Sequence, residues 1–279
     1  MVKTVLYVTG VHLLRNCWGK NMKVVILAGG KGTRISEESQ YKPKPMIEIG
    51  DMPILWHIMK IYSYYGYNDF IICCGYKGYM IKEYFANYYL RKSDVTFDFK
   101  NGGKMMIHNN ESEPWTVTLV DTGAETMTGG RIKRIQKFIP KGETFLMTYG
   151  DGVSDVNIKE LVKYHEEKGR TATMTVVQPG GRYGAVELLN DESISQFVEK
   201  PQGDGGWING GFFVLNYEIF NYLNNDTEVF EKQPLETLAH NNGLIAYKHR
   251  GYWQSMDSMR DRELLQNEWM EGNAPWKKW

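Results

Sequence analysis

The chain has 279 residues, 42% hydrophobic and 24% charged, with 33 basic side chains against 33 acidic ones and a formal net charge of zero. This is ordinary globular composition near the upper size of one compact domain, and it excludes a disordered or collagen-like chain. A zero balance without a basic run gives nucleic acid no electrostatic footprint, so anionic ligands have to be met by locally placed Lys, Arg and backbone N–H groups.

Residues 1–21, MVKTVLYVTGVHLLRNCWGKN, have a weakly positive start and an apolar run of signal-peptide length, but no small-x-small cleavage site ahead of Met22. They read as an N-terminal extension of unknown role beside a single domain at 22–279, with a targeting segment as the alternative. The first strand is predicted at 24–28. A helix follows over 54–65, where Leu55, Ile58, Met59 and Tyr62 recur at three- and four-residue spacing and Pro53 suits the first turn. Next come a short buried strand at 70–74 and a helix over 79–89. Apolar stretches 95–99 and 105–108 flank Asn101-Gly102-Gly103, a hairpin signal.

Strand 115–120, helix 130–138 and strand 144–148 lead to Gly150-Asp151-Gly152. Helix 158–167 and the β-branched strand 171–177 follow, and then short strands at 185–188, 194–198 and 210–215, which read as an antiparallel insertion. Helices near 218–223 and 234–240, a strand at 244–248 and a helix at 258–270 finish the chain. The alternation over the first two thirds is that of β-α-β units around a largely parallel sheet, an α/β fold with helices on its faces.

Cysteine occurs only at 17, 73 and 74, an odd count with two adjacent inside an apolar run. Buried free thiols in a reducing, cytoplasmic compartment are expected, without metal-binding spacing. No apolar stretch approaches the roughly 20 residues of a membrane span, so no membrane partner is expected. His57 reads as a packed or capping residue, and His108, His165, His240 and His249 form no metal-spaced set. Tyr62, Tyr64, Tyr65, Tyr84, Tyr88 and Tyr89 sit at helix spacings that suit core or subunit contacts.

Chemistry concentrates at VVILAGGKGTRISEESQYKPKP, residues 24–45. A loop after the first strand of such a sheet lies at its carboxyl edge, where ligands bind. Gly29, Gly30 and Gly32 let backbone N–H groups approach an anion, and Arg34 adds a forked donor suited to phosphate. The spacing is neither a dinucleotide fingerprint nor a P-loop. In Lys42-Pro43-Lys44-Pro45 the flanking prolines fix the backbone, so Lys44 has little freedom to lose on meeting an anion. Asp151, just past a strand end, suits either an Asp-Gly turn or a hard-oxygen metal ligand. Asp257, just before a helix, suits either the cap region or the same ion.

Together these residues resemble the sugar nucleotidyltransferase family, marked by a strand, a GGxGTR loop and a lysine before proline. The likeness covers essentially all of 22–279 and is most specific to its cytidylyltransferase branch. KPKPMIEIGDMPILWHIMKIYS, DFIICCGYKGYMIKEYFANY, EPWTVTLVDTG, MTGGRIKR, TYGDGVSD, INGGFFVLN and WQSMDSMRD each resemble the corresponding block, whereas residues 1–21 have no counterpart.

The resemblance implies a Rossmann-like, mostly parallel central sheet and the reaction of CTP with α-D-glucose 1-phosphate to give CDP-glucose and pyrophosphate, with Mg²⁺, in a homo-oligomer. Leu27, Ala28, Gly29, Gly30, Gly32, Thr33 and Arg34 would hold the triphosphate. Lys44 would contact the reacting phosphates, and Arg34 would stabilise the leaving pyrophosphate. Thr126, Arg131 and Gly150 would complete the nucleotide side, with Gly123 and Gly129 in the same segment. The resemblance assigns the sugar phosphate to Tyr149, Gly184, Glu199, Lys200 and Asn209, and the metal to Asp151 and Asp257. UTP or dTTP in place of CTP remains an alternative, as does a silent sugar-nucleotide-binding subunit. Retention of Arg34, Lys44, Asp151 and Asp257 favours the active reading.

Overall fold

The computed structural model describes residues 22–179, 185–188, 193–198 and 206–279. The extension 1–21 with Cys17, and the expected sugar-phosphate residues Gly184, Glu199 and Lys200, lie outside the described residues.

Seven strands form the central sheet: β1 (Lys23–Leu27), β2 (Asp69–Cys74), β3 (Thr116–Asp121), β4 (Thr144–Tyr149), β5 (Ala172–Val177), β6 (Ile208–Asn216) and β7 (Leu244–Lys248). Their spatial order is β7-β5-β6-β4-β1-β2-β3. Neighbours β4-β1, β1-β2, β2-β3 and β5-β7 pair parallel, and β6 runs antiparallel to both β4 and β5. The sequence reading put all three short strands after 184 into one insertion. Only Ala185–Leu188 and Ile194–Val198 form a separate hairpin, while the third belongs to the sheet core as β6. Its reversal has a consequence: it brings the start of β6 to the edge where β1 and β4 end.

The main helices are α1 (Ile54–Tyr64), α2 (Gly78–Ala86), α3 (Thr128–Arg134), α4 (Ile158–Lys168), α5 (Gln233–His240) and α6 (Met259–Met270). Alternation along β1 divides the core. Val24 and Ile26 face a cluster with Leu55, Ile58 and Tyr62 of α1 and Leu161 of α4, whereas Val25 and Leu27 face Ile132 of α3 and Leu238 of α5. Each fully buried aliphatic side chain of this kind contributes about 1.5–3 kcal/mol relative to exposure. The helix expected over 79–89 stops at Ala86 and resumes as a short turn, Tyr88–Arg91. The segment 217–222 winds as a 3₁₀ helix.

Three further short ribbons lie off the sheet among the described residues. Glu48–Ile49 pairs with Met52–Pro53, Asp94–Asp98 pairs with Lys104–His108 as the hairpin signal predicts, and Gly152–Ser154 pairs with Trp253–Ser255. Cys73 and Cys74 are buried and free. His57 is fully buried, its Nε2 2.9 Å from the Ile49 carbonyl and its Nδ1 accepting from Trp276 Nε1 at 3.4 Å. No helix among the described residues is long and apolar enough to cross a membrane.

Candidate active site

Because β1 and β4 are parallel neighbours in register, Leu27 opposite Tyr149, the turns that follow them open at one sheet edge. A cleft of about 800 Å³ lies there, lined by the glycine loop, Arg34, Lys44, Thr126, Arg131, Tyr149, Gly150, Asp151, Asn209 and Asp257. Leu27, Ala28, Gly29, Gly30, Gly32 and Thr33 form one wall of it. Three segments far apart in sequence therefore meet: the 24–45 stretch, the end of β4 and the segment before α6.

Lys44 stands at their junction. It is buried at 7% exposure, and its Nζ donates to Asp151 Oδ2 at 2.6 Å and to Asp257 Oδ1 at 2.7 Å. Arg34 pairs with the other Asp257 oxygen at 3.1 Å while 74% of its side chain remains exposed, so the guanidinium can turn toward a ligand. Burial opposes ionisation of Asp257, yet the hydrogen bond and charge of Lys44, aided by Arg34 and Ser255, outweigh it and hold the carboxyl below its ordinary pKa.

The cap of the last helix lies one position beyond Asp257. Ser258 is the N-cap of α6: its hydroxyl accepts from the Asp261 N–H, and the Asp261 carboxylate accepts from the Ser258 N–H in a capping box. The Asp257 side chain is thereby left to face Lys44. Asp151 and Asp257 are joined through the ribbon, where the Met256 N–H donates to the Asp151 carbonyl at 2.8 Å next to the pair Gly152 and Ser255.

Asp151 and Asp257 offer hard oxygen donors facing one cation, here the ammonium of Lys44, and no larger cluster of three metal-ligating side chains exists among the described residues. That donor set fits Mg²⁺, which is held by one or two carboxylates and takes its other oxygens from water and phosphates.

Arg131, expected on the nucleotide side, lines the cleft and also braces it. Its buried guanidinium donates to the carbonyls of Gly29 at 2.9 Å, Gly123 at 2.7 Å and Ala124 at 3.3 Å, and to Thr122 Oγ1 at 2.7 Å. It ties the glycine loop to the turn after β3 at the wall of the cleft. Gly29 must be glycine for this, since a Cβ there would lie 2.1 Å from Arg131 Nη1.

Sequence reasoning missed Glu231, Thr128, Ser255 and Trp253, all of which line the cleft. Glu231 Oε1 accepts from the Tyr149 hydroxyl and Oε2 from the Thr128 hydroxyl, each at 2.6 Å. Asn209, at the start of the reversed β6, donates from Nδ2 to Tyr149 Oη at 3.0 Å.

Comparison with known proteins agrees with this architecture. The family model described as nucleotidyl transferase matches residues 23–261. The glucose-1-phosphate cytidylyltransferase of Salmonella typhimurium is 55% identical over 258 residues, covering 92% of this chain and 100% of that protein. The crystal structure of HddC from Yersinia pseudotuberculosis complexed with GMP-PN is 25% identical, with a TM-score of 0.62 over 89% of this chain and 99% of that one. UDP-glucose pyrophosphorylase from Acinetobacter baumanii shares the fold at a TM-score of 0.65 and 18% identity, over 90% of this chain and 94% of that one. The chain belongs to the nucleotidyl transferase family, within the branch that carries the glucose-1-phosphate cytidylyltransferases.

Proposed function

We propose that the protein transfers a cytidylyl group from CTP to α-D-glucose 1-phosphate, giving CDP-glucose and pyrophosphate, with Mg²⁺ as the metal. The observation that carries this reading is the meeting of Lys44, Asp151 and Asp257 beside the glycine loop in one cleft. A cleft of about 800 Å³ suits a nucleotide and a sugar phosphate together. The choice of CTP and glucose 1-phosphate rests on the likeness to the Salmonella enzyme.

The sugar phosphate is already an anionic nucleophile near neutral pH, its second pKa lying near 6, so no strong general base is required. One of its phosphate oxygens attacks the α-phosphorus of CTP. A new P–O bond forms as the bond to the β-phosphate oxygen breaks, and pyrophosphate leaves in line. The protein's task is to bring two polyanions together. In this reading the loop from Leu27 to Arg34 cradles the triphosphate, Lys44 neutralises the phosphates at the reacting centre and Arg34 follows the charge onto pyrophosphate. Asp151 and Asp257 would hold Mg²⁺, which supplies further neutralisation of the phosphate oxygens.

Tyr149 and Asn209 serve the sugar side, joined there by Gly184, Glu199 and Lys200 on the strength of the family likeness. Exposed Phe97, Phe99, Met105 and Ile107 on the Asp94–Asp98 and Lys104–His108 ribbon supply a surface for subunit contacts in a homo-oligomer. Buried free thiols at 73 and 74 support a cytoplasmic setting. Pyrophosphate release measured with glucose 1-phosphate and each of CTP, UTP, dTTP, ATP and GTP tests the reading. CTP is expected to be preferred, and preference for another triphosphate would overturn the named reaction.

A further inference from the structure

The hydrogen bonds around Glu231 admit only one arrangement of protons. A carboxylate only accepts, so the single hydroxyl hydrogen of Tyr149 points to Oε1. Thr128 Oγ1 accepts from the Phe230 N–H at 2.9 Å, and its own hydrogen therefore goes to Oε2. With its hydrogen committed, Tyr149 Oη can only accept from Asn209 Nδ2. The amide of Asn209 is fixed in turn, because its Oδ1 accepts from the Gly211 N–H at 2.9 Å. Burial, reinforced by the Glu231 charge and hydrogen bond, raises the Tyr149 pKa and keeps the phenol protonated.

Gly211 makes this packing possible. It adopts φ +84°, and a Cβ on it would stand 2.7 Å from Tyr149 Cδ2. Among the described residues, no further partner takes up the remaining lone pairs on the Glu231 oxygens or the second N–H of Asn209, and both residues line the cleft. Acceptors and a donor side by side match adjacent ring hydroxyls, each of which can donate to one neighbour and accept from another. Phosphate, which offers only acceptors at neutral pH, does not match the carboxylate.

We propose that Glu231 is a specificity-determining residue that accepts hydrogen bonds from adjacent hydroxyls of a substrate ring and, through Tyr149, sets the donor direction of Asn209. The inference rests on the proposed reaction for its ligands, which carry such hydroxyls on the glucosyl ring and on the ribose.

The test is calorimetric binding of glucose 1-phosphate, its monodeoxy analogues, CTP, 2′-deoxy-CTP and 3′-deoxy-CTP to the wild type, Glu231→Gln and Tyr149→Phe. Turnover of glucose 1-phosphate with CTP is run alongside. Gln at 231 adds donors where two hydroxyls already donate, and an affinity loss on the order of tenfold to a hundredfold is expected for the ligand whose ring is recognised. The loss should vanish for the analogue lacking the contacted hydroxyl. Tyr149→Phe, which keeps the ring and removes the relay, should show the same selectivity. Coupling confined to the deoxy-sugar phosphates identifies the glucosyl ring, and coupling confined to the deoxynucleotides identifies the ribose. An equal loss on every analogue, or no loss on any, in folded variants would overturn the inference. Because binding is read directly, this outcome is distinguishable from failure of the wild type to turn over.

Discussion

The Lys44 ammonium lies 2.7 Å from Asp257 Oδ1, although 213 residues separate the two in the chain. The same nitrogen reaches Asp151 at 2.6 Å, so a single buried cation neutralises both carboxylates that suit Mg²⁺. Removing it leaves two facing negative charges in a partly desolvated site. Lys44→Met is expected to lower kcat on the order of a hundredfold to a thousandfold. Its melting temperature should rise more on addition of Mg²⁺ than that of the wild type, because the metal then meets no competing ammonium. Calorimetric scans with and without the ion check this.

Asp257→Asn should abolish most turnover and also flatten one part of the stability profile. The folded-state pKa of Asp257 lies below its ordinary 3.8. Its contribution is therefore present above the unfolded value and is lost as pH falls through the folded one. The difference in unfolding free energy between wild type and variant should be constant from neutral pH down to about pH 5 and shrink below that. Urea titrations across this range provide the measurement.

His57 also loses its contribution on acidification, but from a higher pH. Burial depresses its pKa from 6.5 to about 4, and acceptance from Trp276 by Nδ1 leaves no place for a second proton. The unfolded state binds the extra proton first, so this stability is full above pH 6.5 and falls as pH drops toward 4, by about 3 kcal/mol. His57→Gln should lose that slope, as seen in unfolding midpoints at pH 7 and pH 4.5.

Arg131→Lys keeps the charge but cannot reproduce the fork that spans Gly29, Thr122 and Gly123. Destabilisation of about 1–3 kcal/mol is expected from buried acceptors left unpaired. KM for the nucleotide should rise more than KM for the sugar phosphate. Gly29→Ala, which drives a methyl group into the same guanidinium, should share that pattern. Steady-state kinetics with each substrate varied in turn distinguish these variants from a general loss of fold.

The sequence made the strand-glycine loop, the paired Lys-Pro steps and the parallel alternation readable because these depend on local chemistry: turn glycines, fixed φ and period-two burial. The place of β6 was not readable. A strand with a buried run of six residues has the same apolar pattern in an insertion as in a sheet centre, and only pairing distinguishes them. Asp257 was ambiguous for a related reason, since both cap and ligand want a short acidic side chain before a helix. Ser258 with Asp261 three residues on was the available signal that the cap lay one position later. Arg131 was legible as a site residue but not as a brace, because the carbonyls it binds come from two loops brought together by β1, β2 and β3. Glu231 carried no motif at all and becomes informative only beside Tyr149 and Thr128.

The most direct test of the joint action of Lys44, Asp151 and Asp257 is a single-turnover reaction of CTP with glucose 1-phosphate, quenched and read by ³¹P NMR. The wild type with Mg²⁺ should yield pyrophosphate and a sugar nucleotide in equal amounts, and Lys44→Met and Asp151→Asn should yield neither on the same timescale. Pyrophosphate accompanied by free CMP, or undiminished product from either variant, would contradict the account.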